Sequence, residues 1–217
     1  MLPPLMAFAT LGVSLLWPGV GYSPEMEGML ERYKSILPPE QLEQMRNQIA
    51  AKPVHQIWLG LIQGLIMGVS INAVAGFGEE LGWRGFLQKE LNCMGFWKSS
   101  LLIGFIWGIW HAPIILQGYN YPQHPVLGAV MMTALGVLLG PIFSYLRVKA
   151  GSVIAAAIAH GTFNATAGLS VLVVRGGSDL IIGGTGIAGL IVLAFVNLAI
   201  FALDRSLNGG FSNQNVE

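Results

Sequence analysis

Apolar residues run along this chain in long uninterrupted blocks, not in the half-turn stripes of water-soluble helices. Crossing about 30 Å of hydrocarbon takes about 20 helical residues at a rise of 1.5 Å each. Five stretches reach that length, 57–77, 99–117, 125–146, 152–174 and 180–203, and a weaker sixth occupies 1–17. Between Pro18 and Pro53 the pattern changes. Glu25, Glu27, Glu31, Arg32, Lys34, Glu40, Glu43, Arg46 and Lys52 are interleaved with Leu30, Tyr33, Leu37, Leu42, Met45 and Ile49 at helical spacing. This predicts interfacial amphipathic helices starting after Ser23-Pro24 and Pro38-Pro39, where a serine cap and helix-initiating prolines stand. A second amphipathic piece, 81–91, follows the first strong span without a turn signal, so the helix is expected to continue out of the membrane.

The expected fold is therefore all-α: a polytopic transmembrane bundle of five strong spans and the sixth at the N-terminus, with amphipathic segments. Residues 1–56 form an apolar and interfacial N-terminal region, 57–204 the membrane domain and 205–217 a polar tail. Four-residue glycine spacing (Gly60, Gly64, Gly68; Gly104, Gly108; Gly136, Gly140) suits close helix packing.

Composition reinforces this. Of 217 residues, 53% are hydrophobic and 10% charged, and the mean hydropathy is +0.62, too little polar surface for a soluble globule. The charges cancel to zero, which leaves no basic face for nucleic acid. The lone Cys93 forms no internal disulfide and reads as a small filler near a helix end. Among short loops, Arg84, Lys89, Lys98, Arg147, Lys149 and Arg205 fall on one side, against Arg175 and the segment before Pro53 on the other. The first side is assigned to the cytoplasm.

Against this background a few polar residues stand out, because an ionisable group inside a span costs at least about 2.5–3.5 kcal/mol on insertion scales and is rarely kept without a partner or a task. Glu80 and Arg84 are one turn apart and can pair. Glu79 is turned about 100° from Glu80 and so points elsewhere, free to act as a base. His111 ends an apolar run and precedes Pro113, while His160 and Asn164 share a face of the 152–174 stretch. Measured from the cytoplasmic end, His160 and His111 lie roughly 12 and 18 Å deep, near enough to Glu79 for one pocket open to the cytoplasm. A glutamate and a histidine can hold and deprotonate a water, and a histidine and an amide can donate to a tetrahedral oxyanion. Amide hydrolysis uses all four roles. A proton-coupled transporter would use the same groups, but no repeat of the motifs between halves supports it. His55 and His124 read as solvated bystanders.

The same residues carry a resemblance. Glu79-Glu80-Leu81-Gly82-Trp83-Arg84 resembles the EExxxR motif of the CPBP intramembrane proteases, the family of the type II CAAX prenyl endopeptidases and the bacteriocin-processing Abi proteins. Trp107 to His111 resembles its FxxxH motif, with Trp for Phe as an aromatic exchange that keeps the packing role, and His160 to Asn164 resembles HxxxN. The similar region covers about 72–170. The resemblance implies Glu79 as general base, His111 as its partner on the catalytic water, His160 and Asn164 as the oxyanion hole, and Glu80 with Arg84 as support. The substrate is left open, and an enclosed site among helices suits a lipidated peptide tail, a leader peptide or a small membrane-bound peptide. The family's metalloprotease label leaves zinc open, with Glu79, His111 and His160 as the ligands it would use, but without HExxH spacing a metal-free reaction is preferred. A catalytically silent immunity or scaffold protein of the same family is the remaining alternative.

Overall fold

The computed structural model describes residues 2–34, 37–52 and 54–206. In chain order the elements are α1 (Leu2–Ser14), β1 (Gly21–Tyr22), α2 (Glu27–Tyr33), α3 (Pro39–Ala50), α4 (Gln56–Val69) and α5 (Ile71–Glu80). A π-helical segment (Leu81–Leu87), α6 (Gln88–Glu90) and a 3-10 turn (Asn92–Met94) then lead to α7 (Phe96–Trp110), α8 (Ala112–Ile115) and α9 (Pro125–Ala150). The described chain ends with α10 (Val153–Thr166), α11 (Leu169–Leu172), β2 (Val174–Arg175) and α12 (Ile187–Ser206). The architecture is nearly all-α. Its one sheet among the described residues is the antiparallel pairing of β1 with β2, Gly21 opposite Arg175 and Tyr22 opposite Val174.

The expected count of five to six spans is not confirmed by the described residues. Among the described residues, three helical stretches are long and apolar enough to cross a membrane, Phe96–Ile115, Pro125–Ala150 and Ile187–Ser206, and a fourth is obtained if the pair Gln56–Val69 and Ile71–Glu90, bent by 46°, counts as one. The 152–174 stretch yields a helix of only 14 residues, and Leu2–Ser14 has 13. Neither matches the bilayer alone. The stretch from 180 becomes helical only at Ile187, because Gly183, Gly184 and Gly186 interrupt it. The polar tail from 207 onward lies outside the described residues.

Both amphipathic helices form where expected, α2 with its Glu27 N–H bonded to the Ser23 hydroxyl at 3.0 Å and α3 starting at the second proline of Pro38-Pro39 with no residue fully buried. Helix α9 closes on Gly151 at φ 62°, the left-handed position that favours glycine at a helix end. Ser152 then caps α10 by accepting from the Ile154 N–H at 3.2 Å, so α10 turns back tightly against α9.

The bundle is small inside and large outside. At the α7–α9 crossing, a Cβ on Gly104 would lie 2.3 Å from the Gly136 carbonyl oxygen, and one on Gly140 2.4 Å from that of Ser100. The glycine spacing thus serves backbone-to-backbone contact. Ile62, Ile66, Val74, Phe105, Val130, Phe195 and Leu198 are instead exposed on the outside, the distribution a lipid-facing surface requires. The centre is filled by Ile103, Trp107, Leu135, Leu139, Ile142, Phe143, Ala156 and Leu193.

Two histidines read as bystanders are structural. His55 accepts from the Ile57 N–H through Nδ1 at 3.2 Å and donates through Nε2 to the Pro24 carbonyl at 2.8 Å, so it caps α4 and ties it to the N-terminal segment. His124 meets Asp179 at 2.7 Å. Asp179 also accepts from the Gln123 N–H at 2.7 Å and donates its own N–H to the Gln123 side chain, clasping the loop before α9 to the loop before α12. Beside this clasp, buried Tyr121 donates to the Thr185 carbonyl at 2.7 Å. Burial pushes its phenol above the usual tyrosine range, although the bond to Thr185 acts the other way. Cys93, expected as packing filler, is exposed.

Candidate active site

The site lies where α5 and its π segment, α7, α9 and α10 converge, and glycine makes the convergence close. A Cβ on Gly161 would lie 2.5 Å from both the Ala73 nitrogen and the Gly68 carbonyl oxygen, and one on Gly76 3.4 Å from the His160 ring. Helix α10 therefore rests directly on the backbone around the α4–α5 bend, and His160, beside Gly161, is carried to Glu80.

Glu80 and Arg84 are fully buried, and His160 is nearly so. Glu80 Oε1 accepts from Arg84 Nη1 at 3.0 Å and from His160 Nδ1 at 2.9 Å. A carboxylate can only accept, so the ring proton sits on Nδ1 and Nε2 is left for other work. The Arg84 guanidinium also stacks 5.2 Å from the Phe143 ring centre and 5.3 Å from that of Trp107, which suits a planar, weakly hydrated cation. The i, i+4 pairing expected from spacing is thus present. Its stretch, Leu81–Leu87, is wound as a π-helix, a form that recurs at functional sites.

Glu79 takes a different course. Its Oε2 accepts from the Trp107 indole Nε1–H at 2.9 Å, and Oε1 has no partner among the described residues. Trp107 is 3% exposed. Its carbonyl accepts from His111 Nδ1 at 2.8 Å, which places the proton of neutral His111 on Nδ1 and a lone pair on Nε2. The Trp107 ring lies edge-on to both histidines, 5.3 Å from His111 and 5.2 Å from His160. Five of the six expected site residues, Glu79, Glu80, Arg84, His111 and His160, are thereby gathered around one indole. Asn164 is not drawn in, being exposed and without a hydrogen-bond partner among the described residues.

Glu79 also forms part of the wall of an open groove of about 410 Å³ lined by Gly78, Gly82, Trp83, Phe86, Leu87 and Trp110. Trp83 and Trp110 meet edge to face at 6.3 Å. The two glycines are smooth floor, since a Cβ on either would meet nothing within 4 Å. Sequence reasoning missed this aromatic wall and the indole donor. The signal for the donor was Trp107 itself, because a buried tryptophan N–H almost always finds an acceptor.

The residues named as zinc ligands do not form a metal-binding group. Among the described residues no three His, Cys, Asp or Glu side chains are grouped to hold a metal ion. One oxygen of Glu79 is held by Trp107, and His160 is turned by its Nδ1 toward Glu80.

The family described as type II CAAX prenyl endopeptidase Rce1-like matches residues 59–166, which include every motif residue named above. The chain belongs to the CPBP family. It is also 32% identical over 93 residues to "CAAX prenyl protease 2" of Methanococcus maripaludis, a match covering 40% of this chain and 34% of the relative. The chain thus matches about a third of the length of that curated CPBP relative. No solved structure matches it.

Proposed function

We propose that this protein is an intramembrane endopeptidase that hydrolyses a peptide bond in a membrane-anchored or lipidated peptide, with Glu79 as the base. The observation that carries this reading is the setting of the Glu79 carboxylate: one oxygen is fixed by Trp107, and the other is free beside an apolar groove. Glu79 takes a proton from a water that His111 Nε2 helps to hold, and the resulting hydroxide adds to the scissile carbonyl carbon. The negative charge that develops on the carbonyl oxygen is met by His160, while Asn164, exposed one turn further along α10, joins it only by turning in from the surface. His160 presents Nε2 to that oxygen with Nδ1–H remaining on Glu80, and it donates there when the ring carries a second proton. The proton held by Glu79 then passes to the departing amine as the C–N bond breaks. The groove takes the apolar residues or lipid chain beside the scissile bond. The name of the archaeal relative makes a prenylated peptide the first substrate to try.

The test is cleavage of quenched-fluorescent prenylated and unmodified membrane peptides by purified protein in detergent, with Glu79→Ala, His160→Ala and chelator-treated samples alongside. Cleavage by the wild type and a loss of at least about 10²-fold in both variants are expected. A folded wild type that cuts nothing, or a Glu79→Ala variant that cuts equally well, overturns the reading. Gly82→Leu probes the groove. Its side chain has open space and no backbone to strike, so stability should hold while kcat/KM falls at least about tenfold, the scale on which pocket contacts discriminate substrates.

We also place the groove on the cytoplasmic side, where Lys89, Lys98, Arg147, Lys149 and Arg205 gather. Arg84 leaves that count because it is buried. Exposed Cys93, the lone cysteine of the chain, should then react with a membrane-impermeant maleimide in inside-out vesicles and not in right-side-out ones.

A further inference from the structure

We infer that Trp107 is a positioning residue that aims the Glu79 carboxylate through its indole N–H, an inference that rests on the peptidase reading given above. A phenylalanine would keep an aromatic ring against Phe143 and His160 but would offer Glu79 no donor. The indole offers one, at 2.9 Å, from a side chain 3% exposed, where solvent has little chance to replace the lost partner. No other group among the described residues bonds to the Glu79 carboxylate, since the nearby guanidinium of Arg84 is directed to Glu80. The indole bond is therefore what selects the carboxylate rotamer.

The consequence is geometric. With Oε2 occupied, the proton from water goes to Oε1, and the plane of the carboxylate is set by α7 instead of being free to turn into the groove. The same residue orients His111 by a separate route, its main-chain carbonyl, which accepts from His111 Nδ1 at 2.8 Å. Helix α7 thus places both groups on the water through one residue, the base by side chain and the imidazole by backbone. These two contacts are separable, because a change of the Trp107 side chain leaves its carbonyl in place.

The experiment uses the full chain in detergent. Trp107 is replaced by β-(3-benzothienyl)alanine, which keeps the bicyclic shape and removes only the N–H, and in parallel by Trp107→Phe. Both are expected to lower kcat by about 10- to 10²-fold, the range for a misaimed catalytic group, with KM unchanged and, in the isosteric variant, the melting temperature unchanged. A loss through impaired folding would lower the melting temperature of the phenylalanine variant and spare the isosteric one. Wild-type kcat in the isosteric variant overturns the inference.

A second readout is independent of cleavage. The indole ¹H–¹⁵N resonance of Trp107, identified by its loss in Trp107→Phe, should move in Glu79→Ala and stay fixed in Glu90→Ala, a change at an exposed glutamate of α6. A resonance that ignores Glu79→Ala overturns the contact. If the wild type cleaves nothing, the peptidase reading falls, and the indole shift by itself upholds or overturns the hold of Trp107 on Glu79.

Discussion

Glu79→Gln is expected to lower kcat by about 10² to 10⁴-fold, the usual contribution of a general base, without lowering the melting temperature. The carboxamide has the same shape as the carboxylate and keeps an oxygen that can accept from the Trp107 indole, so the contact at 2.9 Å survives. What is lost is the capacity to take a proton from water. The side chain is half-buried at a groove wall and carries no ion pair, so its neutralisation leaves no partner stranded. Steady-state kinetics on the best cleaved peptide, with a thermal melt of the same preparation, checks both halves. Retained activity would remove Glu79 from the chemistry, and a large drop in melting temperature would make it a structural group.

Arg84→Met should do the opposite, destabilising the protein by about 3–5 kcal/mol, the cost of removing one partner from a buried ion pair. Glu80 and Arg84 are both fully buried, and the guanidinium brings a permanent positive charge to that carboxylate. Its loss also removes the stacking on Trp107 and Phe143. Methionine fills much of the space, so the penalty comes from stranded charge more than from a cavity. Adding Glu80→Gln should therefore recover a good part of the loss, since the amide oxygen can still accept from His160 Nδ1 while no charge remains unpaired. Denaturation of the single and double variants in the same detergent gives the comparison. Arg84→Met as stable as the wild type, or a double variant weaker than the single, would show that the pair is not the electrostatic unit described.

These two neighbours show how far spacing can be read. A separation of four residues on a helix announced the Glu80–Arg84 pair, and the 100° turn between consecutive residues put Glu79 elsewhere. Spacing could not say what lay in either direction. That His160 meets Glu80 depends on the approach of α10 to the α4–α5 bend over Gly161 and Gly68. That Glu79 meets an indole depends on the rotation of α7. Asn164, one turn from His160 and on the same face, was expected beside it but emerges on the surface.

Hydropathy likewise determined that the chain is built for lipid, where its amphipathic helices begin and which polar residues are out of place. Those properties are local: transfer free energy adds residue by residue, and helical spacing repeats every 3.6 residues. Only the tertiary structure decided where the apolar helices stop. The stretch from 152 to 174 is long and mostly apolar, yet its first helix ends at Thr166, and Val174 and Arg175 pair with Tyr22 and Gly21. An apolar run reports that a segment tolerates lipid. Whether it crosses or folds back into the bundle is set by backbone hydrogen bonds to partners far along the chain, and no local pattern encodes those partners.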